Sequence, residues 1–392
     1  MVDLSPLLPG ELCSHFLADF GAEVIRVDEP EASKRKGRRG KQAQSIVGKP
    51  LEEQIKLAAF DCVGRNKKSL ALDLKSEQGR EVIYRLVENC DVFLEAFRPG
   101  VVKRLGVDYE VITEIKPSIV YCSISLYGQD GPYRQLPGHD PCALSLAGII
   151  ANNVDGAGGP MLFSFPIGDV LTGLHATIAI LLALRVAEKT GKGQYMDISM
   201  TGCALTLHSL HSQKYFKSGF LPEKIWKSPS LALWRAKDDK FLCTTNLESH
   251  HWASFCRAIG RPDFVPYQHD LERRKELNDS IASIMASKTR EEWLEILRCE
   301  DIQIAPVNEI DEALSDPQTL YRNMIVELEH PMVGMVKQLG IPIKLSQTPG
   351  RIASFAPVPG QDTEEILRKL GYADNEIEQL KESNIIEVPS FP

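Results

Sequence analysis

The sequence predicts an α/β protein with two domains: a large domain on a doubly wound, mostly parallel, Rossmann-like sheet, and a smaller α+β domain. Three observations predict this fold class. The chain has 392 residues, too many for one ordinary core. Short β-branched segments alternate with amphipathic helices in the first third, and a hairpin pattern begins after about residue 225.

The first third of the chain contains the alternating elements. Strands that alternate with helices at this spacing form parallel sheets. No Gly-x-Gly-x-x-Gly sequence follows any of the strands, so a dinucleotide site is not indicated. The predicted elements are strands at 22–27, 69–74, 91–95 and 119–124, helices at 11–20 and 77–88, and a helix within 42–62 in an excursion from the sheet.

A long apolar helix is predicted from Asp169 to about Lys189. Asp169 is suited to be its N-cap and Gly191 to be the residue that ends it. The apolar run Leu174–Val186 is shorter than a membrane span, so we expect a buried helix and no membrane segment. A strand at 193–199 and a helix containing His208 and His211 follow.

The second half begins with a predicted hairpin, 231–236 and 240–244, followed by helices near 250–260, 271–287 and 290–299. Prolines and glycines then cluster at 342–360, and two helices are predicted at 362–371 and 374–383. This pattern suggests that the chain returns to the first domain. The predicted boundaries are 1–200 for the first part of the large domain, 201–225 for a linker, 226–325 for the small domain and 326–392 for the return segment.

The composition excludes several classes of protein. A net charge of −8 with a pI near 5.7 argues against general nucleic-acid binding. A basic run at 34–41 could attract a phosphorylated ligand or form a solvated loop. The nine cysteines are scattered without metal-ligand spacing, so no metal site is expected. Reduced thiols and the lack of a signal peptide predict a cytoplasmic protein.

His139 and Asp169 are the candidate catalytic residues. They lie 30 residues apart in the strings Gly138-His139-Asp140 and Ile167-Gly168-Asp169. An imidazole and a carboxylate can share acid/base work, or the carboxylate alone can act as a nucleophile. By themselves, an aspartate at a helix start and a histidine in a loop are more often structural.

Several strings, in order along nearly the whole chain, resemble those of family III CoA-transferases. The superfamily also contains 2-methylacyl-CoA racemases. The resemblance implies an interlaced homodimer, with a large domain built from both chain ends and a small domain between them. The strings are Leu8–Gly10, Leu17–Ile25, Asn66–Ser69, Phe97–Gly100, Tyr127–Pro132, Thr190–Gln194, Pro306–Asn308 and His330-Pro331.

The resemblance also implies a site for coenzyme A on the large domain. The CoA thioester would be a substrate, a carboxylic acid its co-substrate, and no separate cofactor would be needed. Guanidinium groups are suited to phosphates. The residues implied for CoA binding are Arg38, Lys67, Lys68, Leu72, Lys75, Arg98 and Arg104.

The resemblance leaves the reaction open. In the transferases, an aspartate at the position of Asp169 becomes acylated by the donor. In the racemases, the same aspartate works opposite a histidine that matches His139, oriented by a glutamate that matches Glu248. Gly138-His139-Asp140 and Glu248 favour the racemase, whereas Val170 and the residues after it resemble the transferases. We favour a transferase; the alternatives are a racemase and an inactive CoA-binding homologue.

Overall fold

The computed structural model describes residues 1–30, 48–155, 157–221, 228–298 and 300–391. It divides into two compact units. The first comprises Met1–Asp155, Gly159–Phe220 and Asn323–Pro392, and the second comprises Gly156–Gly158 and Leu221–Arg322.

Strands and helices are numbered along the chain. The strands of the described residues are β1 Val2–Asp3, β2 Val24–Asp28, β3 Lys67–Leu72, β4 Val92–Glu95, β5 Val120–Ser125, β6 Gln194–Ser199, β7 Leu231–Arg235, β8 Phe241–Thr245, β9 Ile304–Val307, β10 Ile325–His330, β11 Gly334–Leu339 and β12 Ile386–Glu387. The helices are α1 Leu8–Asp19, α2 Leu51–Ala59, α3 Glu77–Glu88, α4 Val101–Leu105, α5 Tyr109–Ile115, α6 Asp140–Leu146, α7 Ile167–Thr190, α8 Met200–Leu205, α9 Ser209–Ser218, α10 Ser249–Ala258, α11 Arg274–Met285, α12 Arg290–Leu297, α13 Ile310–Ser315, α14 Pro317–Tyr321, α15 Thr363–Lys369 and α16 Asp374–Glu382.

The first unit is built on a seven-stranded sheet in the order β12-β3-β2-β1-β4-β5-β6. Only β12 runs antiparallel to its neighbour, so the predicted mostly parallel sheet is confirmed. The chain moves from β1 towards β2 on one side and from β4 towards β5 on the other. The connections therefore diverge between β1 and β4, where ligands of such sheets bind beside the carboxyl ends of the strands.

Alternate residues of the strands face the two helical layers, as the period of two requires. On one face, Leu94 and Cys122 pack against α1 and α7 through residues such as Ala176 and Ile180. On the other face, Phe93 and Tyr121 pack against α3, α5, α15 and α16. The return segment therefore completes the core of the first unit, as the sequence predicts for its two helices.

Helix α7 differs from its prediction in two ways. Its N-cap is Pro166, so Asp169 lies inside the first turn and is not the cap. Gly191 does end the helix, with φ of 69°. The helix is also not buried all round, because α1, the sheet and the helices α6 and α8 leave one side of it uncovered. On the side that faces α1, a Cβ at Gly173 would lie 2.9 Å from the Cβ of Leu12.

The opposite side of α7 is apolar and exposed within this single chain. The helix is long and apolar enough to cross a membrane. Core helices of soluble proteins can have the same length and composition. We expect another molecule to bury this apolar face, because large exposed apolar patches are rare on monomers. The exposed side chains are Leu174, Ile178, Leu181, Leu182 and Val186.

The predicted linker at 201–225 is largely wrong. Residues up to Phe220 belong to the first unit, and α8 packs against α6 and α7. Ser199 caps α8 by accepting a hydrogen bond from the Gly202 N–H. The segment is therefore helical and packed, at least through α8.

The second unit contains the antiparallel sheet β7-β8-β9 and the helices α10 to α12. The predicted hairpin is confirmed as β7 and β8, whereas β9 was not predicted. The core has large aromatic residues, including Trp234, Trp252, Phe255 and Phe264. The Trp234 indole donates to the Thr244 hydroxyl at 2.8 Å, which satisfies a buried polar group inside this core.

Candidate functional site

Asp140 joins the two strings that contain His139 and Asp169. It is the first residue of α6, and its carboxylate accepts a hydrogen bond from the Gly168 N–H of α7 at 2.8 Å. The two helices can approach this closely because residue 168 is glycine. A Cβ there would lie 2.6 Å from the Asp140 Oδ1 atom. The starts of α6 and α7 therefore meet, and the two strings share one place in the fold.

Asp169 lies in the first turn of α7 and is partly buried. Burial, with a further contribution from the negative charge of Asp140, raises the pKa of Asp169 to about 6. The pKa of Asp140 is also raised by burial, although it is opposed by the backbone N–H groups of Gly168 and Asp169. Asp169 is thus a poorly solvated carboxylate that is mostly ionised at neutral pH, a suitable state for a nucleophile or a base.

His139 is the N-cap residue of α6, and its side chain is exposed. The imidazole does not cap the helix and has no hydrogen-bond partner in the described ranges. The residue before it is glycine, which avoids a close contact at the start of α6. A Cβ at Gly138 would lie 2.6 Å from the Cδ2 atom of Leu126. His139 is therefore next in sequence to the residue that binds the start of α7.

Glu248 lies in the second unit, as the N-cap of α10. Its carboxylate accepts a hydrogen bond from the Gln303 side-chain amide at 3.1 Å, and it is exposed. Gln303 also donates its backbone N–H to the Asn246 side chain at 2.8 Å and accepts one from Thr245. These hydrogen bonds fix the segment between β8 and α10. That Glu248 orients His139 stays a prediction.

Arg98 and Arg104 follow β4, next to the point where the connections diverge. The segment after β1 lies beside the segment after β4, because a Cβ at Gly10 would lie 3.6 Å from the Cβ of Ala96. Arg98 is exposed and has no partner within the described part of the chain, and Arg104 contacts only the Gly100 carbonyl, at 3.3 Å. Gly100, with φ of 85°, starts α4. Both guanidinium groups are therefore open to an anionic ligand.

The other implied CoA residues are differently placed. Lys67 is buried and donates to the Glu11 carbonyl at 2.8 Å, and burial lowers its pKa. Leu72 is in the hydrophobic core. Neither side chain is accessible to a ligand in this conformation, because β3 lies inside the sheet and these positions face the helices. Their implied contacts with CoA therefore stay predictions, which their side chains do not support in this conformation.

Lys68 and Lys75 are at the surface with acidic partners. Lys68 lies 2.8 Å from Glu365, and Lys75 lies 2.6 Å from Glu29. Such surface pairs are weak and can exchange for a phosphate. Arg38 is outside the described residues. Of the implied cations in the described ranges, Arg98 and Arg104 are thus the ones without an acidic partner.

Asp140 was not selected from the sequence, although it is part of the Gly138-His139-Asp140 string. The structure places it at a helix start, where an aspartate usually indicates only a cap. Its contact with Gly168 connects residues 28 apart in the chain. A contact of that kind depends on the packing of α6 against α7, and no sequence period predicts it.

One group in the described residues could hold a metal ion: His250, His251 and Asp301, in the second unit. The Nδ1 atom of His251 lies 3.0 Å from the backbone oxygen of Asp301, and the carboxylate of Asp301 lies within 4 Å of both imidazoles. These contacts are also those of an ordinary surface ion pair. The group is separate in sequence from the residues at the starts of α6 and α7.

The comparisons with known proteins agree on one family. Residues 1–363 match the family model described as CoA-transferase family III. The chain is 30% identical to the succinyl-CoA:glutarate CoA-transferase of Homo sapiens, covering 99% of this chain and 89% of that protein. It is 30% identical to the formyl-CoA:oxalate CoA-transferase of Rhodopseudomonas palustris, covering 99% and 96%. A CAIB/BAIF family protein from Brucella suis has a similar structure, with a TM-score of 0.79, 25% identity, and coverage of 94% and 97%.

Proposed function

The chain belongs to CoA-transferase family III, and from that premise we propose that it transfers CoA from an acyl-CoA donor to a carboxylic acid through a covalent adduct on Asp169. The observation that carries this proposal is the environment of Asp169. It is a partly buried carboxylate at the start of α7, with a pKa near 6. At pH 7 roughly nine-tenths of such a group is ionised, and its weak solvation favours attack on a carbonyl.

The proposed reaction has four steps that conserve all atoms. The Asp169 carboxylate attacks the thioester carbonyl, which gives a mixed anhydride and the CoA thiolate. The thiolate then attacks the aspartyl carbonyl, giving an aspartyl-CoA thioester and releasing the donor acid. The acceptor carboxylate attacks this thioester and releases the thiolate, and the thiolate finally takes the acceptor acyl group and restores Asp169. Covalent catalysis thereby divides one difficult exchange into easier steps.

We propose that CoA binds at the carboxyl ends of β1 and β4, with Arg98 and Arg104 facing its phosphates. A guanidinium group offers two parallel donors to a phosphate. Arg38, Lys68 and Lys75 remain candidates for further phosphate contacts. Asp169 is at the same edge of the sheet, because α7 runs back to the amino end of β6. A CoA that spans this edge would bring its thioester towards α7.

The acceptor we propose is a short dicarboxylic acid. The two relatives described above are named for reactions with glutarate and with oxalate, both of this class. Succinyl-CoA with glutarate, and formyl-CoA with oxalate, are therefore the first donor and acceptor pairs to test. A mass-spectrometric screen of further acids would find the preferred acceptor.

We further propose that the active protein is a homodimer. The exposed apolar side of α7 is the supporting observation, because a second copy would remove Ile178, Leu182 and Val186 from water. A solution mass of twice the 43.6 kDa of one chain is expected by light scattering. A monomer that is fully active would contradict the proposal.

The covalent route is tested by trapping. The protein is incubated with a donor pair that it turns over, and hydroxylamine is then added. Hydroxylamine should convert an acylated Asp169 to the hydroxamate, which peptide mass spectrometry detects. If turnover proceeds but no hydroxamate forms at Asp169, the covalent route is wrong.

One observation supports the racemase alternative: the imidazole of His139, next to Asp140, has no hydrogen-bond partner among the residues that the structure describes. A two-base racemase would exchange the α-hydrogen of a 2-methylacyl-CoA with deuterium from solvent. Exchange that disappears in His139→Ala would favour this alternative. Transfer without exchange, retained in that variant, would exclude it.

A further inference from the structure

Glu95 is a buried carboxylate in the sheet that the proposed reaction does not use. It is the last residue of β4 and only 1% exposed. The strand register aligns it with Ser123 of β5 and Asp197 of β6, so the three side chains form one row near the carboxyl ends of the strands. A buried glutamate is rare unless its carboxylate is hydrogen-bonded.

The carboxylate of Glu95 holds the turn that follows β4. It accepts a hydrogen bond from the Phe97 N–H at 2.8 Å, and Ser123 lies beside it on the neighbouring strand β5. Phe97 directly precedes Arg98. Glu95 therefore fixes the backbone at the point where the chain turns out of the sheet towards the exposed guanidinium group.

A second loop supports the same turn. Asp197 accepts a hydrogen bond from the Gln129 N–H at 2.9 Å, which ties the segment after β5 to the edge strand β6. From that segment the Gln135 side chain donates to the Pro99 carbonyl at 3.4 Å. The backbone around Arg98 is thus held on both sides, at Phe97 by Glu95 and at Pro99 by Gln135.

We propose that Glu95 is a positioning residue of the CoA site, which fixes the Phe97–Gly100 turn and so orients Arg98 towards a phosphate of CoA. The inference rests on the proposed function. Glu95 itself does not touch the ligand, because its side chain lies inside the sheet. Its effect is to pre-order the loop, so that binding does not have to order it.

The test compares Glu95→Leu with Glu95→Gln. Leucine fills the space but removes the acceptor for the Phe97 N–H, whereas glutamine keeps an acceptor oxygen. Glu95→Leu should raise the KM for succinyl-CoA and the Kd for free CoA by about tenfold, as expected for the loss of one ordered backbone contact. The turnover rate at saturation should stay within about twofold, and Glu95→Gln should restore most of the affinity.

A matched control is Glu376→Leu. Glu376 also accepts a backbone hydrogen bond, from the Ala373 N–H at 2.7 Å, but it lies in α16, beside the opposite edge strand β12. This control should leave the KM for succinyl-CoA unchanged. Calorimetric binding of CoA and thermal unfolding are measured for every variant.

The outcomes separate the two proposals. If the wild-type protein transfers CoA but Glu95→Leu keeps the wild-type KM and Kd, the positioning role is wrong and the proposed function stands. If Glu95→Leu lowers turnover together with thermal stability, and Glu95→Gln does the same, Glu95 is merely structural and the inference is overturned. If the wild-type protein neither binds CoA nor transfers it, both proposals fail.

Discussion

Asp169 and Glu95 are both carboxylates at the carboxyl edge of the sheet, and burial raises the pKa of each, to about 6 and about 7. Their surroundings differ. Glu95 is buried within the sheet, and its carboxylate accepts a hydrogen bond from the Phe97 N–H. Asp169 is only partly buried, at the start of a helix, and it is Asp140 that binds the neighbouring N–H groups.

This comparison separates two uses of the same chemical group. A raised pKa alone does not identify a catalytic residue, because structural carboxylates are perturbed as well. A catalytic carboxylate differs from a structural one because a reacting atom of the substrate can reach it. Asp140 occupies the backbone donors beside Asp169, while Asp169 itself is left with a partly open carboxylate. This difference supports the proposal that Asp169 performs the chemistry and that Glu95 orders the loop.

The largest expected effect is that of Asp169→Asn. An amide is neither a carboxylate nucleophile nor a base, so the turnover rate should fall by at least about a thousandfold. Asp374→Asn is the matched control, because Asp374 also lies in the first turn of a helix, α16, and is exposed. An Asp169→Asn protein with near-normal turnover would exclude the assignment of the chemistry to this residue.

The second effect concerns Glu95 and stability. Its pKa in the folded protein is raised to about 7, above its ordinary value of 4.5. The protonated Glu95 carboxyl group therefore stabilises the folded protein fully below about pH 4.5. This stabilisation is lost as the pH rises through 7. For one such group the loss is at most about 3 kcal/mol.

Glu95→Gln cannot ionise, so its free energy of unfolding should fall less than that of the wild-type protein between pH 5 and pH 8. The groups that interact with Glu95 are the same in both proteins: Asp197, Tyr121 and Tyr195. Urea denaturation at several pH values measures the difference. Parallel pH profiles for the two proteins would mean that Glu95 is already ionised and solvated, which would weaken the contrast with Asp169.

A third prediction concerns Arg98. Arg98→Ala should raise the KM for the acyl-CoA about tenfold, because a charged contact with a phosphate is lost. Lys68→Ala should have a smaller effect, since Lys68 is paired with Glu365. Initial rates over a range of succinyl-CoA concentrations provide the measurement. Equal effects of the two substitutions would argue against a special position for the turn that Glu95 holds.

The smallest effect is a shift of the pH profile. If ionised Asp169 is the nucleophile, activity should decline as the pH falls through about 6. Asp140→Asn removes the neighbouring charge but keeps an oxygen for the Gly168 N–H, so this decline should move to lower pH. The profile of kcat/KM against pH tests this. A shift to higher pH would mean that Asp140 does not destabilise the charge of Asp169.

Local sequence signals predicted the regular elements well. Helix α3 has the predicted bounds, because an alternation of apolar and polar residues at helical spacing begins after Ser76, which caps it. The strands β2 to β6 and the hairpin β7–β8 were predicted within a few residues. The hairpin β10–β11 and strand β9 were missed, although exposure alternates along all three strands.

The sequence by itself determined the parallel α/β architecture, the candidate carboxylate Asp169 and the position of Arg98 after a strand, because strand periods, helix caps and short strings are local. Only the tertiary structure decided what surrounds them. The contact between Asp140 and Gly168, the row formed by Glu95 and Asp197, and the burial of Lys67 join residues that are distant along the chain. Burial and charge set the pKa of a carboxylate, and both depend on neighbours that only packing provides.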